Sequence, residues 1–220
     1  MTSSEIPTPA SSEGRVRWRR ASAMLVTAVS ACAVLVLLTA QGILAANFAI
    51  SGFPFVVTAD RLEGQGFEQF ATVDHMAPGS PLASNVQGEF PNQGDTGGQV
   101  LVFVSAIGSA QLTNLCQSIA IVPGQLYLKI TAGGGGTNVS ASNLIVDSDA
   151  LTGNASFTNI EIGRDASTLD RVPGVVGAIS TFGQQAEHVT ITNLRQDNWA
   201  TTAASFSLPG LSLRFSPTAC

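Results

Sequence analysis

Two histidines, His75 and His188, are the chain's whole imidazole inventory. Each stands beside an acid, Asp74 and Glu187, which is the kind of partner a general base needs. Neighbours in a strand point to opposite faces, so adjacency alone makes no dyad. The strained turn that presents a nucleophilic serine, Gly-x-Ser-x-Gly, does not occur; Gly79-Ser80 and Gly108-Ser109 lack its spacing. The histidines stand far apart with no local partners at ligand spacing, so they form no metal cluster. Asp147-Ser148-Asp149 comes nearest to a calcium loop, but it lacks the Gly and closing Glu of an EF-hand and reads as a solvated turn. Gly133-Gly134-Gly135-Gly136 is followed by no Gly-Lys-Ser/Thr and offers no phosphate cradle. The inventory predicts no catalytic residue, no cofactor-binding residue and no metal ligand, and hence a protein that is not an enzyme.

Cysteines and aromatics carry more. Cys32 lies inside an apolar run, whereas Cys116 and Cys220 lie beyond it. In an oxidising compartment two such cysteines pair. A Cys116–Cys220 bond would tie the last residue back to mid-domain and hold a terminus that otherwise frays. Of the eleven phenylalanines, Phe67 and Phe70 flank Glu68-Gln69. With Phe53, Phe55 and Phe103 they are candidates to line an apolar groove, the competing reading being plain core.

The compartment follows from the N-terminal third. No Asp, Glu, Lys or Arg occurs from Ala21 to Ala59, and Arg15, Arg17, Arg19 and Arg20 come just before. A bilayer needs about 20 apolar residues at the helical rise, and flanking arginines hold their side in the cytoplasm. Three parts are expected. Residues 1–20 form a disordered cytoplasmic tail, residues 21–46 a transmembrane signal-anchor helix, and residues 47–220 a β-rich domain outside the cell. The location is then the cell membrane, single-pass with the C-terminal domain outside. The alternative is secretion after cleavage, for which Ala40-Gln41-Gly42 fits the small-x-small pattern. Beyond residue 46 the acids outnumber the bases, which argues against nucleic acid as a partner.

Strand signals dominate that domain. Gln125–Thr131 and Leu211–Phe215 alternate apolar and polar residues. Val100–Val104 is apolar on both faces, as a covered central strand would be. Phe53–Thr58 is a first strand, Gln87–Gly98 a surface loop, and Gly133–Gly136 a turn. A tetrapeptide recurs: Leu112-Thr113-Asn114-Leu115, Phe157-Thr158-Asn159-Ile160, Ile191-Thr192-Asn193-Leu194 and, more loosely, Ala141-Ser142-Asn143-Leu144. Residues three apart in a regular strand face opposite ways. For both apolar ends to enter one core, the Thr-Asn pair must sit at a bend, and Asn tolerates the left-handed backbone that a bend needs. The expected fold is all-β, a solenoid-like stack or a curled sheet or sandwich.

Phe55-Val56-Val57-Thr58-Ala59-Asp60, Leu112-Thr113-Asn114-Leu115-Cys116-Gln117, Phe157-Thr158-Asn159-Ile160-Glu161-Ile162-Gly163 and a C-terminal Cys together form a pattern. It resembles a family of exported actinobacterial proteins of unknown function, some labelled "cholesterol esterase". The resemblance covers nearly the full length and brings no catalytic residues with it.

Two functions are open at this point. The first is a membrane-anchored, non-enzymatic cell-envelope protein that assembles with itself or with a membrane partner. The second is a carrier of lipid or another hydrophobic ligand, with a lipid-ester hydrolase the weakest third.

Overall fold

The alternating segments of the sequence are strands, and almost nothing else is present among the described residues. The computed structural model describes residues 50–77 and 98–220. Its elements are β1 (Phe55–His75), β2 (Gln99–Thr113), β3 (Leu115–Val122), β4 (Leu126–Ala132), β5 (Val139–Thr158), β6 (Glu161–Asp165), β7 (Phe182–Thr202), β8 (Ser205–Ser207) and β9 (Ser212–Ser216). One 3-10 turn, Ala166–Thr168, is the only helical piece among the described residues. No helix among them is long and apolar enough to cross a membrane. The tail, the signal-anchor segment and most of the Gln87–Gly98 loop lie outside the described residues.

All nine strands belong to one sheet, and every strand-to-strand pairing is antiparallel. Stacked solenoid coils pair in parallel and a sandwich needs two sheets, so neither describes this chain. The curled sheet does. Its four long strands close a ring: β1 pairs β2, β2 pairs β5, β5 pairs β7, and β7 returns to β1. The coiling is strong. A straight strand of β1's 21 residues would span about 70 Å. Yet the Ile50 amide donates to the His75 carbonyl at 3.0 Å, and the residues from Ile50 to Phe55 reach at most about 18 Å. The two ends of β1 therefore lie close together.

Asparagine makes the bends. Asn114, Asn143, Asn159 and Asn193, the third residues of the four tetrapeptides, all have left-handed φ, between 45° and 53°. Three copies bury both apolar ends: Leu112 with Leu115, Ala141 with Leu144, and Ile191 with Leu194. In the fourth, Phe157 packs against the core while Ile160 is exposed. The registers align these residues across strands. Asp60 stands opposite Asn114 on one side and Asn193 on the other. One row further on, Gly66 (φ 66°) faces Gly108 and Glu187, which in turn face Asn143 and Asn159. Among these residues, left-handed and ordinary backbone alternate from strand to strand along each row. Asn114 Nδ2 donates to Asp60 at 2.6 Å and Asn159 Nδ2 to Glu187 at 2.7 Å, so two of these bends are pinned across strands.

The main core fills the ring, with Leu62, Phe67, Ile107, Leu112, Leu144, Val189, Ile191 and Leu194. The Phe67 ring lies 5.3 Å from that of Phe157. A second cluster forms where the segment after β6 folds over Phe70, Val104 and Ala106 with Leu169, Val172 and Val175. A third joins Ile50, Met76, Val100, Val102 and Ala200. Val100–Val104, expected to be covered on both faces, buries alternate residues instead, because Leu101 is exposed.

Candidate interaction surface

Beyond the ring the sheet continues as an open flap. β3 pairs the start of β1, β4 pairs β3, and β9 pairs β4. Directly paired residues share a face, so the registers define rows. Phe55, Ile119, Leu128 and Phe215 form one row, and Val57, Gln117, Ile130 and Leu213 the next. On β7 these rows continue to Asn198 and Gln196 inside the ring. The flap's apolar face is therefore the interior face of the ring, unrolled. Burial falls along each row, from 8% exposure at Val57 to 61% at Leu213 and 67% at Phe215. With Leu211, Ile121 and Val122, the exposed apolar surface of the flap is roughly 500 Å², toward the upper end for a monomer's largest patch.

The other face is mostly polar, and the chain itself crosses its β3 and β4 part. Its rows read Val56, Ser118, Lys129, Arg214 and Thr58, Cys116, Thr131, Ser212. Cys116 and Cys220 form a disulfide with Cα atoms 5.8 Å apart, as expected from the sequence. The Cys220 amide donates to Ser118 Oγ at 3.2 Å, and Lys129 Nζ to the Ala219 carbonyl at 3.4 Å. The residues after β9 are thereby strapped across β4 to β3.

Among the described residues three strands are paired on one side only: β9 and β6 at the ends of the sheet, and the three-residue β8, which pairs β5 alone. The edge at β6 carries Glu161, Arg164 and Asp165 in five residues, a register shift at Ile162/Arg164, and Gly163 at φ 88°. Arg164 is held by Glu161 at 2.7 Å. Charges and bulges of this kind discourage further pairing. β9 has one charge, Arg214, and an unbroken register with β4. It is the unguarded edge.

Inside the ring is a small cavity of about 40 Å³, lined by Leu112, Leu144, Ser105, Gln196 and Asn198 among others. It is room for a few water molecules. Asn198 accepts from Ser148 Oγ at 2.7 Å through Oδ1, and its buried Nδ2 has no protein partner.

Two acidic features, one half-buried and one buried, stand apart from the flap. Asp147 and Asp74 share a side-chain hydrogen bond. Burial first, and then the Asp74 charge, push Asp147 up to about 7; burial also raises Asp74. Glu68, fully buried, accepts from the Val172 amide at 2.6 Å and is raised by that burial. It holds the segment that covers the second cluster.

The five candidate groove phenylalanines do not converge on one surface. Phe67 is in the ring core and Phe70 in the second cluster. Phe55 heads a flap row, Phe53 is exposed, and Phe103 is half-buried on β2. His75 Nε2 lies 2.9 Å from Gln99 Nε2, and both histidines are exposed. Asp147-Ser148-Asp149 is not a turn; it lies within β5 at a register shift, with Asp149 accepting from Trp199 Nε1 at 3.0 Å. The Asp74–Asp147 pair went unread because its members come from different strands and no local motif joins them. The flap was partly legible in the alternation of Gln125–Thr131 and Leu211–Phe215, but its openness was not.

Fold and surface define a class: an all-antiparallel β protein with a ring closed on itself and a disulfide-strapped flap left open. Residues 51–220 match the model of a family of unknown function, DUF6230, and the chain belongs to that family. No curated protein and no solved structure matches it.

Proposed function

We propose that this chain is a non-enzymatic cell-envelope protein of an exported, actinobacterial type. The segment 21–46 anchors it, residues 47–220 stand outside the membrane, and the β domain works by assembling through its flap. The observation that carries this reading is the flap itself. One face is crossed by the chain's own C-terminal residues and a disulfide, while the other presents Leu213 and Phe215 beside an unguarded strand edge. The largest apolar patch on a monomer is often its functional surface.

The test is the size of the full chain released gently from its own membrane. A discrete complex heavier than one chain is expected, and Phe215→Lys should return it to single-chain size. A single-chain mass for the unaltered protein overturns the reading.

A hydrophobic-ligand carrier is the second reading. It is favoured by the continuity of the flap rows with the ring interior. Extra mass that extracts into organic solvent and disappears with Phe215→Lys would move the assignment to it.

A further inference from the structure

We propose that β9 is the pairing edge for a second copy of this chain, the two joining antiparallel about a two-fold axis. The proposal rests on the assembly reading above and names its partner. Among the described residues, and apart from the three-residue β8, the sheet has two open ends, and only one is fit to pair. β6 is charged, bulged and tied to its own side chains, whereas β9 is regular and nearly uncharged. An antiparallel edge is self-complementary under a two-fold axis, so it needs no foreign strand.

The register can be chosen on physical grounds. Centring the junction on Arg214 would bring two guanidinium groups together. Each already lies opposite its own Lys129, and like charges directly opposite are unfavourable. Centring it on Leu213 sets Leu213 against its own copy, Leu211 against Phe215, and Arg214 against Ser212. That register joins the exposed apolar residues of both flaps into one continuous face and separates the charges. A closed pair also accounts for the edge at β6, whose guards would stop the pair from growing into a filament.

The test uses the full chain in mild detergent, with Cys32→Ser to remove the one cysteine outside the disulfide. Sedimentation should give twice the chain mass. Under mild oxidation Leu213→Cys should cross-link to a covalent dimer. Ser216→Cys, three positions from the centre, should cross-link at least about tenfold more slowly. Phe215→Lys should weaken the dimer by about tenfold or more while the Cys116–Cys220 bond and the β-type circular dichroism persist. A single-chain mass overturns the proposal. So does a discrete complex in which Leu213→Cys finds no second copy: residues 1–49, residues 78–97 or a different protein would then cover β9, and in the last case the assembly reading survives. Efficient cross-linking through Ile162→Cys on β6 would overturn it as well.

Discussion

Asp147 and Asp74 present one proton to two carboxyls, and stability must register it. Asp147 sits near 7 when folded, through burial and the neighbouring charge, against about 4 when unfolded. Between those values the folded chain keeps a proton that the unfolded chain releases, so stability falls as pH rises through the window. Glu161, lowered chiefly by Arg164, and Asp165, lowered chiefly by Ser167, give the opposite slope, but only below the ordinary carboxylate range. Glu68 and Asp74, both raised by burial, add to the fall; the urea midpoint should therefore drop from pH 5 to pH 8, and Asp147→Asn should reduce that drop and be the more stable protein at pH 8. An unchanged slope in the variant would show that the pair does not hold the proton. The left-handed asparagines are the second residue-scale device. Asn193→Gly should be nearly neutral. Asn193→Ala should cost about 1 kcal/mol, because Ala keeps the Cβ that disfavours the left-handed backbone but lacks the short polar side chain that lets Asn adopt it. Equal costs in chemical denaturation would remove backbone conformation as the reason for Asn there.

At the scale of elements, the Cys116–Cys220 bond matters for what it holds down. It closes a separation of 104 residues, worth about 4.7 kcal/mol in the chain-entropy model before strain is subtracted. Locally it straps the residues after β9 onto β3. Replacing both cysteines with serine should cost about 2–5 kcal/mol, and amide exchange should speed up most in β9 and the β4 residues paired to it. Uniform acceleration across the ring would mean that the bond acts only through the unfolded chain. Most of these elements were legible in the sequence for local reasons. Alternation marked β4 and β9, the glycine run marked the turn between β4 and β5, and the repeated Thr-Asn set the bends. In Asn114 and Asn193 the side-chain type and the spacing of apolar neighbours suffice to require a left-handed residue. Asp147–Asp149 failed as a turn because its polar residues are satisfied across strands, by Asp74, Asn198 and Trp199. No window of sequence contains those partners.

At the scale of the whole molecule the deciding contact is the return of β7 to β1. It pairs Phe55 with Asn198 and Phe70 with Gly183, and it turns a meandering sheet into a ring. Nothing local announces it, which is why a curled sheet, a solenoid and a sandwich all fitted the strand pattern. The closure leaves little room inside. A Cβ built at Gly64 would stand 2.6 Å from Ile107 on β2 and 2.9 Å from Val189 on β7, the two strands that flank β1. Gly64→Val should therefore overpack the ring and cost about 1–3 kcal/mol or more. Because each long strand is paired on both sides, the loss cannot be absorbed by opening one edge. The whole β domain should unfold in a single transition at lower denaturant. With Trp18→Phe so that Trp199 reports alone, its fluorescence and the far-ultraviolet circular dichroism should move together. If fluorescence at Trp199 held while part of the β signal was lost, β1 and β7 would be separable, and the ring would not be the cooperative unit that the registers describe.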